Sequence, residues 1–104
     1  MSDIALVLVT FASQIEAETI GSAMVGDRLA ACVNIAAPCV SIYRWEGEID
    51  RAEEVQALFK TTIAIAPRLT ARIAELHSYA LPAIEVIPAA ASDALAEWVG
   101  TETR

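Results

Sequence analysis

The sequence predicts an α+β fold in which strands and helices alternate in the order β-α-β-β-α-β and one further helix closes the chain. Three observations predict it. The chain opens with an apolar run of strand length, a long hairpin with alternating faces lies at its centre, and two amphipathic segments with helix-start signals follow separate strands. A length of 104 residues is that of one domain, so residues 1–104 are expected to share a single core.

The first two elements are a buried strand and a capped helix. Ile4–Thr10 is a continuous apolar run rich in β-branched residues, which is typical of a strand buried on both faces. Ser13 and Glu16 have the spacing of a capping box, in which the serine hydroxyl accepts from a first-turn backbone N–H and the glutamate reaches back. A helix is therefore predicted from there to about Leu29. Its apolar stripe consists of Ala17, Ile20 and Met24.

A long hairpin follows this helix. A second strand at Cys32–Ile35 is interrupted at Ala36–Pro38, because proline removes a donor from the ladder, and resumes at Cys39–Trp45. Glu46-Gly47 is predicted as a tight turn, and a third strand returns over Glu48–Thr62. One face of the returning strand carries Glu54, Gln56, Leu58 and Lys60, and the other carries Val55, Ala57, Phe59 and Thr61. Two helices cannot cover so long a hairpin, so we expect it to contact another subunit.

A helix, a short strand and a last helix complete the chain. Pro67 suits the first turn of a helix that ends near His77-Ser78. Ala83–Ile87, which lies between two prolines, is predicted as a fourth strand, and Ser92 then caps a helix that Gly100 stops. This order is the ferredoxin-like arrangement, in which both main helices cover one face of an antiparallel sheet and leave the other face to a neighbour.

The composition favours an assembly over an isolated chain. The hydrophobic share is 56% and the mean hydropathy is +0.48, against a usual apolar share of about 45–50%. Two explanations remain open, which are a high content of small alanine side chains and a large subunit interface. Tyr43, Trp45 and Phe59 on the hairpin are the predicted interface residues, because exposed apolar strands would otherwise aggregate.

Charge and motifs exclude several classes of function. A net charge of −7 argues against a nucleic-acid-binding surface, which needs a basic face. Ile4–Val9 is too short to insert into a membrane, and Met1–Asp3 lacks the basic start of a secretory signal, so a cytoplasmic location with reduced cysteines is expected. The sequence has no glycine-rich phosphate loop, nucleophile elbow or zinc-protease motif, and an enzyme is therefore not expected.

A series of short motifs runs through most of the chain. Ala30–Asn34 leads into Ser41–Gly47, and Glu75–Tyr79 and Pro82–Glu85 follow the second predicted helix. In this order and spacing the series resembles the CutA family of divalent-cation-tolerance proteins from about residue 4 to residue 99, and the block Ser41–Gly47 is its most specific part. The resemblance implies a ferredoxin-like subunit in a tight homotrimer whose hairpins pair between subunits. It also implies a link to the tolerance of divalent cations, notably copper.

The same resemblance implies where a metal would bind. In copper-binding relatives the attributed ligands are a cysteine at the end of the first strand and histidines after the second helix. Those positions fall on Val9 and Leu76 here, and only His77 matches. His77 is therefore a candidate metal residue, with Cu²⁺ or another divalent cation as the candidate cofactor. Cys39 is a second candidate on separate grounds, because it follows the proline break and is expected to be more exposed than Cys32. The alternatives are a helix-terminal imidazole for His77 and, for Cys32, a thiol buried in the core.

A second set of residues indicates a ligand pocket. Lys60, Tyr79 and Glu85 are the candidate pocket residues, since mixed aromatic, cationic and acidic side chains line small-molecule sites. The alternative for Lys60 is an ion pair. The predicted function is a homotrimeric protein of divalent-metal tolerance that binds or assists rather than catalyses. A small-molecule-sensing signalling trimer with pockets at its subunit boundaries is the main alternative, and a purely structural assembly partner is the third.

Overall fold

A computed structural model describes all 104 residues of the chain. It contains an antiparallel five-stranded sheet and three helices, which confirms the predicted α+β class. No helix is both long enough and apolar enough to cross a bilayer. The elements are β1 Ser2–Phe11, α1 Gln14–Gly26, β2 Cys32–Ile35, β3 Cys39–Trp45, β4 Glu48–Thr61, α2 Ala66–Leu76, β5 Ile84–Ala91 and α3 Asp93–Glu102.

The long strand β4 organises the sheet. Its second half lies between β1 and β2, its first half pairs with β3, and β5 pairs with β1 at the edge. The register of β3 against β4 is shifted by one residue relative to that of β2, because Cys32 pairs with Lys60 whereas Cys39 pairs with Glu54. The segment Ala36–Pro38 absorbs this shift, as expected of a bulge.

A two-residue turn fixes the register of the β3–β4 hairpin. Glu46 and Gly47 have φ angles of 49° and 83°, the pair of positive values that a type I′ turn requires. The predicted tight turn is therefore confirmed. Since a two-residue turn leaves no slack, it sets every later pair, from Trp45 opposite Glu48 to Cys39 opposite Glu54.

The main core lies between one sheet face and the helices α1 and α2. It includes the predicted stripe of α1 and the buried face of β4, and its members are Val7, Val9, Phe11, Ala17, Ile20, Met24, Ala30, Val55, Ala57, Phe59, Leu69 and Ile73. The predicted alternation of β4 is thus confirmed. The interface role predicted for Phe59 is corrected, because its side chain is fully buried within one chain, 6.4 Å from Phe11 between ring centroids.

The helix α3 covers one end of the opposite sheet face. Val99 of α3 packs with Ile4, Ala31 and Ala91 in a second, smaller cluster. The prediction left this face to a neighbouring subunit, but α3 of the same chain already covers part of it. Away from α3, the half-buried Leu8 and Leu58 and the exposed Ile87 remain apolar surface.

Three elements end two or more residues away from their predicted C-terminal residue. α1 ends at Gly26 rather than near Leu29, because Arg28 adopts a left-handed φ of 60° just beyond the Asp27 cap. β5 continues through Pro88 to Ala91, which an edge strand tolerates because one side of its backbone needs no partner. α3 continues through Gly100 to Glu102.

Candidate functional site

A cavity of about 520 Å³ opens between the β3–β4 hairpin and the segment that follows α2. Its volume lies within the range of about 300–1,000 Å³ that is typical of small-molecule sites. The side chains that give it chemical character are Thr10, Ser41, Tyr43, Trp45, Glu54 and Tyr79. The site is therefore built by elements that are distant in sequence and meet at the base of the hairpin.

Strand alternation places the cavity residues of the hairpin on one face. Ser41, Tyr43 and Trp45 occupy every second position of β3, so their side chains point to the same side of the strand. Glu54 reaches this side because it pairs with Cys39, and paired residues of antiparallel strands share a face. The turn at Glu46 fixes these pairs and therefore determines which hairpin side chains line the cavity.

Glu54 and Tyr79 form the polar centre of the cavity. The Tyr79 hydroxyl donates a hydrogen bond of 2.6 Å to Oε2 of Glu54, whose residue is only 7% exposed. Burial of the phenol, together with this hydrogen bond to a carboxylate, raises the pKa of Tyr79 above its usual range. The Glu54 carboxylate takes part in none of the three ion pairs of the chain. A buried carboxylate without a cationic partner is costly, and such groups concentrate at functional sites.

His77 holds the segment that carries Tyr79. Its Nε2–H donates to the Thr10 carbonyl at 2.8 Å and its Nδ1 accepts from the Tyr79 backbone N–H at 3.0 Å. This tautomer follows from the partners, because a carbonyl only accepts and a backbone N–H only donates. The ring also stacks on Phe11 at 5.1 Å with an interplanar angle of 9°. His77 is therefore a positioning residue at the end of α2.

Glu16 ties the same segment to the first helix. Oε1 accepts from the Ala12 backbone N–H and Oε2 from the Ser78 backbone N–H, each at 3.0 Å, while the Glu16 backbone N–H donates to Ser13 Oγ. The predicted serine cap is confirmed, although the glutamate reaches back to Ala12 rather than to the cap. Partial burial would raise the pKa of Glu16, but the hydrogen bonds from Ser78 and Ala12 lower it below its ordinary value of 4.5.

Replacement of Glu16 by glutamine should destabilise the fold in a pH-dependent manner. The new amide group would face a backbone N–H, so we expect a loss of about 1–2 kcal/mol near neutral pH. Because the folded-state pKa is lowered, the carboxylate stabilises the fold above its unfolded-state pKa and loses this effect as the pH falls through the folded-state pKa. The difference between wild type and variant should therefore be constant at neutral pH and shrink in acid, below about pH 4.5. Urea unfolding at a series of pH values measures it.

Glu18 provides the matched control for this experiment. It is an exposed glutamate in the same helix, two residues further on. Glu18→Gln should change the unfolding free energy by less than about 0.5 kcal/mol at any pH, as is usual for surface positions. Equal losses in the two variants would contradict the role given to Glu16.

The structure does not gather the predicted metal residues into a site. Both ring nitrogens of His77 are engaged in hydrogen bonds, and the half-buried Cys39 lies near Ser41, with 4.0 Å between Sγ and Oγ. Val9, at the position of the family cysteine, is fully buried in the core. No group of three or more His, Cys, Asp and Glu side chains is arranged to hold a metal ion within the chain. A metal site that uses His77 would require its ring to give up a hydrogen bond.

Of the three predicted pocket residues, the structure places only Tyr79 in the cavity. Lys60 lies near the C-terminal end of β4, outside the cavity. Its Nζ donates a hydrogen bond to Oδ1 of Asn34 at 2.8 Å rather than forming the ion pair that was the alternative prediction. Glu85 lies opposite Leu8 on β1 and does not line the cavity. Within one chain, Lys60 and Glu85 therefore do not join Tyr79 in the cavity, and a pocket that these residues share across a subunit boundary stays a prediction.

Sequence reasoning missed Glu54 as a site residue. The signal was available, because the Glu46-Gly47 turn fixes a register that sets Glu54 on the face of Tyr43 and Trp45. It also missed the opposite face of the hairpin, which exposes the aliphatic side chains of Val40, Ile42 and Ile49.

Comparison with known proteins identifies the family. The model of the CutA1 divalent ion tolerance protein family matches residues 5–102. The chain belongs to the CutA1 family. The divalent-cation tolerance protein CutA of Thermus thermophilus is 46% identical over 85 residues, which cover 82% of each chain. The CutA protein of Yersinia pestis is 33% identical over 87 residues, covering 84% of this chain and 73% of that protein.

Solved CutA structures share the whole fold. The Thermus thermophilus protein superposes with a TM-score of 0.91 at 39% identity and covers 99% of this chain and 100% of its own. CutA from Synechococcus elongatus superposes with a TM-score of 0.92 at 37% identity, covering 100% of this chain and 93% of that one. The relatives from Thermus thermophilus and Yersinia pestis are named as divalent-cation tolerance proteins. With the family model matched over residues 5–102, the chain is a CutA-family divalent-cation tolerance protein.

Proposed function

We propose that the chain is a homotrimeric, ferredoxin-like protein of the cytoplasm that takes part in copper tolerance as a binding or accessory module rather than as a catalyst. The observation that carries the proposal is the match of the CutA1 family model to nearly the whole chain, residues 5–102. The strand order β2-β4-β1-β5 supports the ferredoxin-like topology when β2 and β3 are counted as two parts of one interrupted strand.

The hairpin supports the proposed assembly. On the face away from the cavity, Val40, Ile42 and Ile49 expose aliphatic side chains, and Ile42 is 72% exposed. The open sheet face adds apolar surface at Leu58 and Ile87. Exposed apolar side chains of this kind are typical of subunit contacts, because a second copy buries them and removes them from water.

Copper contact, in this proposal, uses groups from more than one copy. One chain supplies no cluster of three ligands, and copper sites favour thiolate and imidazole. Cys39 is the proposed thiol, since it is half-buried on the hairpin that would reach a neighbouring copy.

Copper tolerance can be tested by complementation. In a bacterial strain that lacks its own CutA protein, expression of this chain should raise the copper chloride concentration that halts growth. In parallel, copper retained per trimer after dialysis should fall in Cys39→Ser and stay unchanged in Cys32→Ser, which alters the other half-buried cysteine. A well-expressed trimer that leaves copper sensitivity unchanged would argue against the tolerance role, and equal copper in both variants would argue against Cys39.

A small-molecule-sensing trimer is the second candidate function. It is favoured by the cavity of about 520 Å³, whose buried Glu54–Tyr79 pair lies among aromatic side chains. A ligand that binds only the folded protein must raise its unfolding temperature. A thermal-shift screen of metabolites beside copper chloride therefore separates the candidates, since a shift with a metabolite but not with the metal supports sensing.

A further inference from the structure

We propose that the cavity at the base of the hairpin binds a small organic cation, an ammonium group on an apolar body, with Glu54 as its counter-charge and the rings of Tyr43 and Trp45 as its walls. The inference rests on the second candidate function, because it uses the same cavity, and it adds the chemical class of the ligand.

The charges around the cavity all have one sign. Glu54 is the only charged residue in its lining, which contains no lysine, arginine or histidine. Two further acids share this face of the hairpin, because Glu48 pairs with Trp45 and Asp50 pairs with Tyr43. A wall with this charge attracts cations and repels anions.

Both arginines of the hairpin lie on its other face. Arg44 alternates with Tyr43 and Trp45 along β3, and Arg51 pairs with Ile42. Neither guanidinium therefore neutralises the acidic face within the hairpin. Phosphate-binding and carboxylate-binding sites pair the anion with basic side chains, and the lining of this cavity has none.

The Glu54 carboxylate lacks the partner that its burial requires. At 7% exposure it accepts one hydrogen bond, from Tyr79, and it forms no ion pair. Removing an ion from water is costly unless an opposite charge and hydrogen bonds replace the solvent. An ammonium group in the cavity would supply the missing charge. The Tyr79 hydroxyl, on a backbone that His77 holds, keeps the carboxylate oriented for it.

The aromatic walls favour an organic cation over a metal ion. Tyr43 and Trp45 are partly exposed and line the same cavity as the carboxylate. The faces of such rings attract ammonium groups, and tryptophan does so most strongly. A divalent metal needs several oxygen, nitrogen or sulfur ligands, and the chain assembles no such group. Leu81 and Ala83 complete an apolar wall for the body of the ligand.

The test compares three probes of nearly the same shape on the assembled protein. Choline carries the positive charge, 3,3-dimethylbutan-1-ol is its neutral carbon analogue, and 3,3-dimethylbutanoate is an anion. The chain has two tryptophans, so Trp98→Phe leaves Trp45 as the fluorescent reporter. Choline should change this fluorescence saturably, the alcohol should need at least about tenfold more, and the anion should have no effect.

Two neighbouring glutamates provide the matched variants. Glu54→Gln should weaken choline binding at least about tenfold. Glu53→Gln should leave it unchanged, because Glu53 is exposed and pairs with Val40 on the other face. Equal binding of choline and the alcohol would overturn the inference while leaving the cavity as a ligand site. If none of the probes binds, the inference is overturned, whereas the second candidate function is overturned only if the metabolite screen also gives no shift. Glu54-dependent binding of copper chloride without binding of choline would replace the inference with a metal site.

Discussion

Phe59→Ala should cost about 3–5 kcal/mol of unfolding free energy, the usual loss when a buried phenylalanine is truncated. The ring is fully buried in the core beside Phe11, on the strand that links β1 to β2, so its removal leaves a cavity at the centre of the chain. Since a domain is stable by only about 5–15 kcal/mol, this loss is a large part of the total. Urea unfolding at a fixed protein concentration measures it, because assembly makes the midpoint depend on concentration.

The neighbouring Leu58 separates a core role from an interface role. It lies on the opposite, open face of β4 and is half-buried, so Leu58→Ala should cost clearly less in the same assay. Should Phe59→Ala fail to fold, Phe59→Leu retains most of the apolar volume and should give an intermediate loss. A Phe59→Ala protein that stays folded as a single chain, with a loss no larger than that of Leu58→Ala, would show that the residue belongs to the interface after all.

Local patterns predicted most of the fold because their physical causes lie within a few residues. The Ser13 cap, the Glu46-Gly47 turn and the alternation of β4 depend on hydrogen bonds or periodicity that the sequence displays directly. The end of α1 was placed too late because Arg28, rather than a glycine, adopts the left-handed conformation there. Arg28 also forms an ion pair with Glu102 of α3, a contact between residues distant in sequence that local patterns do not show.

The site was harder to predict because its members come from three parts of the chain. The sequence identifies His77 as a candidate site residue. It does not identify the hydrogen-bond partners of His77, because Thr10 and Tyr79 are brought to it only when the fold places β1 beside the end of α2. Glu54 and Lys60 share a strand and a period, yet the strand is long enough that one reaches the cavity and the other lies beside Asn34. The alternation of the strand therefore predicts which face Glu54 and Lys60 occupy, but not which residues they contact.

The β3–β4 hairpin presents two chemically distinct faces. One is aromatic and acidic and lines the cavity, and the other is aliphatic and carries both arginines. Tyr43 and Trp45, predicted as interface residues, belong to the first face, whereas Ile42 and Ile49 belong to the second. Since a two-residue turn fixes the pairing, a residue cannot exchange faces without a change of register. Assembly and ligand binding can therefore be perturbed separately.

Ile42→Asp should dissociate the proposed trimer. The side chain is 72% exposed in one chain, so a carboxylate there is harmless to the isolated subunit. At a subunit contact the same charge would be buried without a partner, and association would lose several kcal/mol. Sedimentation at low micromolar concentration should then show a mass falling from three chains to one chain of 11.1 kDa, with an unchanged far-ultraviolet circular dichroism spectrum.

Two further aspartate variants make this result specific to one face of the hairpin. Ile15 of α1 is 77% exposed, and Ile15→Asp should leave the sedimenting mass unchanged, because the position lies outside the proposed contact. Tyr43→Asp should alter choline binding more than assembly, since Tyr43 lines the cavity. A wild-type protein that sediments as one chain, or a trimer that survives Ile42→Asp but not Tyr43→Asp, would contradict the assignment. The aliphatic face should hold the copies together because its side chains lose contact with water only when a second copy covers them.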